Sequence, residues 1–419
     1  MSKKIFYGWW ISLASFFIGL YVAGVVHFGF TAFFEPLVKE FGWSYTQISV
    51  AASLRGLENG IFAPLIGFLV DRMGSRRLIL CGAILIGLGF LLMSMIRTLV
   101  MFYGCFVLIS LGAGGCMSVV LMGVVGKWFH KNVGKALALV ACGFGAGGLI
   151  VPVVVWLIDL YQWRTTLIIL GLGMWILGVP LSFVIRDKPE QYGYLPDGKS
   201  SQESETQIKS NGKEVEVSFM QAVKQRAFLY LILAEGIRMM AVYSVITHSM
   251  PYFSSVGIPR KIAGIVAAAI PLFSILGRIG FGWLGDLVDK RYMLAVALCL
   301  IDAGLAALCC VEYRGGIPIF ILFFSSGFGG GMVVGRAIVR EYFGRDSFGQ
   351  LIGILMGSGA IGGIIGPTLA GWVFDTMGSY QLIWLLYMGS VGISIWLILR
   401  IKRPLNENDL TRSSFATIQ

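Results

Sequence analysis

The chain has 419 residues, 57% of them hydrophobic and 13% charged, with a formal net charge of +11. A soluble domain carries about 25% charged residues, so this composition excludes a water-soluble globular fold and points to a lipid bilayer. The basic excess would suggest nucleic acid in a soluble protein, but its placement along the chain gives it a different meaning.

In chain order there are twelve apolar segments, near residues 8–34, 45–70, 78–96, 100–126, 135–158, 165–185, 227–253, 262–285, 292–312, 316–339, 349–374 and 380–400. Each is long enough to cross about 30 Å of hydrocarbon as a helix. The first is too long for a signal-peptide core and lacks a cleavage site, so it reads as a retained helix. With both termini cytoplasmic, the 33 Lys and Arg divide into 24 on inner segments, 6 outside and 3 within helices (Arg55, Arg238 and Arg278). Such an inner excess predicts a multi-pass protein of the plasma (inner) membrane with N- and C-termini inside. The basic charge is then an orientation signal, and no nucleic-acid partner is expected. The seven cysteines all fall in apolar runs without metal-ligand spacing and read as packing residues.

The polar stretch containing KSSQESETQIKSNGKEVEV separates segments six and seven. Its composition suggests a flexible linker, with a short amphipathic helix near 218–226. The predicted organisation is a six-helix bundle over 1–186, a cytoplasmic linker over 187–226, a second six-helix bundle over 227–403 and a cytoplasmic tail over 404–419. The two bundles are related by an internal repeat. GFLVDRMGSRR at Gly67–Arg77 returns in degraded form as GWLGDLVDKR at Gly282–Arg291. An offset of 215 residues carries Gly67 to Gly282 and Asp71 to Asp286. The same offset carries Gly134 to Gly349, Gly147–Gly148 to Gly362–Gly363, and Pro152 to Pro367. A duplicated bundle is a way to build a central site that opens alternately to either side of a membrane. The predicted fold class is therefore an all-α membrane protein of twelve transmembrane helices in two pseudo-symmetric six-helix bundles.

Gly67, Asp71, Arg72, Gly74, Arg76 and Arg77 in the loop between segments two and three resemble the loop signature of the major facilitator superfamily. The resemblance implies that the glycines allow a tight turn, while the charges, with Gly282, Asp286 and Arg291 of the second half, gate the two halves. A narrower resemblance, to monocarboxylate transporters, lies in YGWW at Tyr7–Trp10 and in KWFHKNVGKALALVACGFGAGG at Lys127–Gly148. RDKPEQYGYLPDG at Arg186–Gly198 is similar to a loop of bacterial relatives that include oxalate–formate exchangers.

Arginine at a helix centre costs at least ~2.5–3.5 kcal/mol in a bilayer, so it is seldom accidental. Arg278 in segment eight matches the position of an arginine in both resembling families, and its guanidinium fork suits a carboxylate. Arg55 has Glu58 three residues on, and Arg238 has Glu235 three residues before, so each pair shares a helix face. The resembling carriers have an acid where this chain has Ser274, and a first-helix lysine where it has Phe28 beside His27. Their proton apparatus therefore does not carry over, and His27, Glu235 and Glu58 remain as proton-coupling candidates. Segment eleven holds no charge, whereas oxalate exchangers have a lysine there; one central cation is expected to fit one carboxylate. Neutral substrate-binding candidates are Tyr21, Ser118, Tyr243, Ser325 and Ser358.

These residues predict a secondary transporter of a small organic monocarboxylate, such as lactate or pyruvate, coupled to a proton by alternating access. Organic-anion exchange and drug export are the alternatives within transport. A membrane carboxylate sensor is the alternative outside it. There is no nucleotide loop, metal cluster or nucleophile–base constellation to suggest an enzyme, and no cofactor is expected. A small organic anion, a proton and the bilayer are the expected partners of a monomer.

Overall fold

The computed structural model describes residues 6–54, 66, 69, 70, 72–129, 132–187, 189, 192, 219–285, 287–311, 315–344 and 348–401. Several positions singled out in the sequence lie outside them: Arg55, Glu58, Gly67, Asp71, Asp286, most of the linker and the tail. The first half comprises α1 (Tyr7–Phe41), α2 (Tyr45–Ser53), α3 (Ser75–Met93), α4 (Leu99–Trp128), α5 (133–161) and α6 (163–184). The second comprises α7 (Arg226–Ser255), α8 (Arg260–Leu284), α9 (Lys290–Cys309), α10 (Gly316–Phe343), α11 (Phe348–Met377) and α12 (Gln381–Leu399). A short helix, Phe219–Lys224, precedes α7.

Ten helical runs among the described residues are long and apolar enough to cross a membrane. One of them, Val133–Val184, reverses at Gln162, whose backbone is left-handed (φ 65°), and so makes two crossings. The described part of α2 opens the remaining span. This is the all-α architecture of twelve spans in two bundles that the hydropathy predicts. Helix ends follow local chemistry. Ser44 and Gln47 form a reciprocal capping box at α2, and Thr98 accepts the Met101 N–H at α4.

The internal repeat is visible as packing. A Cβ at Gly112 of α4 would stand 2.7 Å from the Gly82 carbonyl and 2.9 Å from the Ile86 nitrogen on α3. At the same offset, a Cβ at Gly327 of α10 would stand 2.5 Å from the Ala297 carbonyl and 2.8 Å from the Ile301 nitrogen on α9. Gly89 against Ile109 and Gly304 against Phe324 repeat the relation. Small residues let the backbones touch where apolar lipid gives helices no hydrophobic reason to associate.

The halves meet tightly at the face remote from the chain termini. Asp375 of α11 accepts the Tyr45 N–H at 2.9 Å, the Thr46 N–H at 2.7 Å and the Thr46 hydroxyl at 2.5 Å, a carboxylate on the N-terminus of α2. Ser49 Oγ lies 3.0 Å from His248 Nε2, and Ser53 pairs with Thr368 at 3.0 Å. Thr31 accepts the Met250 N–H at 3.2 Å, while Arg260 of α8 pairs with Glu35 at 2.8 Å and Asp159 at 3.2 Å. Inward of this seam α1 changes winding, with a π segment over Ala23–Phe28 and a 3-10 segment over Gly29–Phe33. Helix α4 is also interrupted, ending at Gly115 and restarting at Ser118. Both irregularities border the central cavity, where non-regular backbone is tolerated inside a membrane protein.

Two outcomes are expected. Gly112→Ala should cost about 1–3 kcal/mol by overpacking α3 against α4. Gly104→Ala on the same helix, which faces open space, should be neutral or slightly stabilising; thermal unfolding in detergent compares them directly. Asp375→Ala should lower the cost of opening the remote face by about 1–3 kcal/mol. Hydrogen exchange would read this as faster exchange across 45–53, and unchanged exchange there would show that other contacts hold the seam.

Candidate functional site

A cavity of about 430 Å³ lies between the halves. It is lined by α1 and α4, by Ala141 and Phe144 of α5, and by α7, α8, α10 and α11. Most of its wall is apolar. Methionines are prominent (Met117, Met122, Met239, Met332 and Met356), and Phe28, Phe144 and Phe328 add aromatic surface. Its charges come from the second half. Arg238, Arg278 and Arg336 face the cavity with one carboxylate, Glu235, among the described residues.

Arg238 and Glu235 form the local pair that their spacing predicts. Nε donates to Glu235 Oε2 at 2.9 Å and Nη2 to Oε1 at 2.7 Å. The arginine side chain is 1% exposed, and Gly331 on α10 leaves the room it occupies, since a Cβ there would lie 3.1 Å from its Cδ and Nη1. A charge buried this deeply is stable only because the fork is filled on both prongs.

Arg278 has no such partner. Its Nη1 donates to the Ala141 carbonyl at 3.1 Å, reaching from α8 across to α5 in the other half. Nη2 lies 3.9 Å from Met332 Sδ, and the buried Nε has no hydrogen-bond partner among the described residues. A guanidinium presents five N–H donors, so most of its capacity is unused. The segment around it is fixed by small residues: a Cβ at Gly329 of α10 would overlap the Ser274 carbonyl, and one at Gly277 would overlap the Ser326 carbonyl.

Arg336 was not named among the intramembrane arginines, although the apolar segment near 316–339 already encloses it. Helix α10 continues to Phe343, so Arg336 lies seven residues inside its end, about 10 Å at 1.5 Å per residue. Arg278 lies six residues inside the end of α8. The side chain of Arg336 is accessible because it opens into the cavity. It is near enough to interact electrostatically with Glu235, Arg238 and Arg278. The expectation of one central cation therefore does not hold. The signal available in the sequence was its position inside the apolar segment near 316–339.

Of the other candidates, His27, Ser118, Tyr243 and Glu235 line the cavity with Arg278. His27 sits in the π segment of α1, and Ser118 where α4 restarts. Three serine and tyrosine candidates are placed elsewhere. The Tyr21 hydroxyl donates to the Leu170 carbonyl of α6 at 2.7 Å. Two residues from Ala23, it is rotated about 200° around α1 from that cavity-lining position. Ser358 donates to the Ile232 carbonyl at 2.5 Å within the α7–α11 seam. Ser325 is buried about one turn beyond Phe328, the outermost α10 residue of the cavity.

Of the loop residues expected to gate the halves, Gly74, Arg76, Gly282 and Arg291 contact their own halves in this conformation. Gly74 has a left-handed backbone (φ 83°) and sits under the Asp187 carboxylate, which accepts the Arg76 N–H at 3.1 Å and also the Ser75 N–H. The Arg76 guanidinium lies over the Phe183 ring at 4.9 Å, and Arg77 is exposed. Arg291 donates to the Ile401 carbonyl at 2.7 Å. Gly282 faces Val333 on α10. The sequence reading missed Asp187 and Asp375, both acids just outside or at the end of an apolar run. Nothing in the local pattern distinguishes them from solvated charges.

Comparison with known proteins places this geometry. The chain is 26% identical over 403 residues to monocarboxylate transporter 12 of Mus musculus, covering 90% of this chain and 82% of the relative. It is 25% identical over 405 residues to the uncharacterized MFS-type transporter YcxA of Bacillus subtilis, covering 92% and 93%. Against monocarboxylate transporter 2 of Homo sapiens it is 22% identical over 413 residues, covering 94% and 85%. In fold it is similar to a bacterial homolog of the human lysosomal transporter Spinster, solved inward-facing and unoccupied. That similarity has a TM-score of 0.71 at 14% identity over 95% of both chains. The sequence profile of the Major Facilitator Superfamily matches residues 10–333 and 239–417. Twelve helices in two repeated bundles around a charged central cavity are thus those of a membrane transporter, and the chain belongs to the Major Facilitator Superfamily.

Proposed function

We propose that this transporter carries small organic carboxylates, with monocarboxylates such as lactate or pyruvate as its simplest substrates, moved together with a proton by alternating access. The observation that carries the reading is Arg278, a half-buried cation without a carboxylate partner among the described residues, bonded across the interface of the halves to Ala141. The names of the monocarboxylate transporter relatives support the same substrate class.

The chemistry follows from charge. A guanidinium with unspent donors against a mostly apolar wall is costly, and a substrate carboxylate offers the bidentate partner it lacks. Binding there neutralises Arg278 and competes with its bond to Ala141, so occupancy alters a contact between the two bodies that must move. With the remote seam closed, this conformation presents the cavity toward the face that carries the termini, which we take as cytoplasmic in the plasma membrane. Symport of one proton with one anion avoids work of about 2.3 kcal/mol per charge per 100 mV. Of the proton candidates, Glu235 must first leave the fork of Arg238 before it can take a proton, whereas His27 borders the cavity from the opposite half.

The methionine-rich wall favours a second reading, export of a bulky amphipathic compound, because flexible thioethers accommodate varied apolar shapes. The two readings separate at Arg278. In proteoliposomes with an inward proton gradient, labelled L-lactate should accumulate with the wild-type protein. Loss of a buried charged partner costs about 2–5 kcal/mol, so Arg278→Ala should lower uptake at limiting substrate roughly thirtyfold or more. Uptake indifferent to Arg278→Ala would sink the carboxylate reading and favour the exporter.

A further inference from the structure

We propose that Arg336 is a second anion-binding group, and that the cavity binds organic dianions, dicarboxylates above all, more tightly than monocarboxylates of the same length. The inference rests on the carboxylate-transport reading and extends its substrate class.

Three guanidinium groups and one carboxylate line the cavity among the described residues, which leaves two positive charges in surplus. The carboxylate is already committed, because both oxygens of Glu235 accept from Arg238. Arg336 interacts with Glu235 only through space and makes no hydrogen bond with any described residue. Arg278 spends its donors on one backbone carbonyl and a thioether. Two guanidinium groups with unspent forks therefore face one volume from adjacent helices.

Their spacing suits a short diacid. The Met332 sulfur that Arg278 approaches belongs to the same face of α10 as Arg336, four residues earlier. Arg336 is thus anchored about one helical turn, roughly 5.4 Å, beyond that contact. Helices α8 and α10 cannot drift apart to relieve the repulsion, because Gly329 meets Ser274 and Gly277 meets Ser326 in backbone contact. A single carboxylate on Arg278 leaves Arg336 uncompensated, whereas a second carboxylate one turn away neutralises it. Each charge-assisted contact contributes about tenfold or more in affinity.

The test uses the full-length protein in detergent at pH 7.5, with butyrate and succinate as probes, four-carbon acids bearing one and two carboxylates. Binding is followed by isothermal titration. Wild type should bind succinate at least about tenfold more tightly than butyrate. Arg336→Gln should remove that preference while changing butyrate affinity by less than about threefold, and Arg336→Lys should retain part of it. Arg278→Gln should weaken both acids. Equal or weaker binding of succinate in wild type would overturn the inference without any variant, and so would an Arg336→Gln loss shared equally by both acids. If butyrate binds and depends on Arg278 while succinate gains nothing, this inference fails and the carboxylate reading stands. If neither acid binds a folded wild type, both fail together.

Discussion

A permanent positive charge inside a bilayer must be paired, hydrated or exposed to a cavity, and among the described residues three of them stand around one carboxylate. Much of the rest of the architecture can be understood from that constraint. Arg238 is sealed because Glu235 fills its fork and Gly331 clears the space. Arg278 and Arg336 are tolerated because they border a water-accessible volume between two bundles. The glycine contacts that fasten α8 to α10 keep these charges near one another, and without such backbone contact the repulsion would spread the helices.

The duplication supplies the frame but not the charge. Gly112 and Gly327, with their neighbours Ile86 and Ile301, repeat the same backbone approach in both halves. At the offset of 215 residues, the counterparts of Glu235, Arg238, Arg278 and Arg336 are Leu20, Ala23, Ala63 and Leu121. The second half has become the electrostatic wall of the cavity, while the first contributes His27, Ser118 and the Ala141 carbonyl. On the proposed reading, this asymmetric charge on a symmetric frame lets neutralisation of the cavity change how one half holds the other. Alternating access requires such a dependence.

The remote seam is polar where the cavity is apolar. Asp375 on the α2 N-terminus, His248 against Ser49, and Arg260 between Glu35 and Asp159 form a set of directional contacts between the halves. Hydrogen bonds of this sort are modest in net strength, about 0.5–1.5 kcal/mol between neutral groups and about 1.5–3 kcal/mol to a charged one. A closure built from several of them is secure yet reversible, unlike the glycine-welded contacts within each half, which behave as rigid-body interiors.

The order of helices, their two-bundle grouping, the repeat and the intramembrane position of Arg278 were legible in the sequence. Each depends on a one-dimensional property: runs of apolar residues, fixed spacing, or an ionised group too costly to bury by chance. Tertiary structure decided which polar residues share the cavity. Tyr21 and His27 lie six residues apart on α1, but the π segment begins between them, and only His27 lines the cavity. Ser358 looked available and instead closes a hydrogen bond within the α7–α11 seam. Arg336 lay within the apolar segment near 316–339, but only the tertiary structure shows that it faces the cavity. Hydropathy reports how deep a residue lies along a helix. Which way it faces is set by helix rotation and by backbone contacts with neighbours far away in sequence.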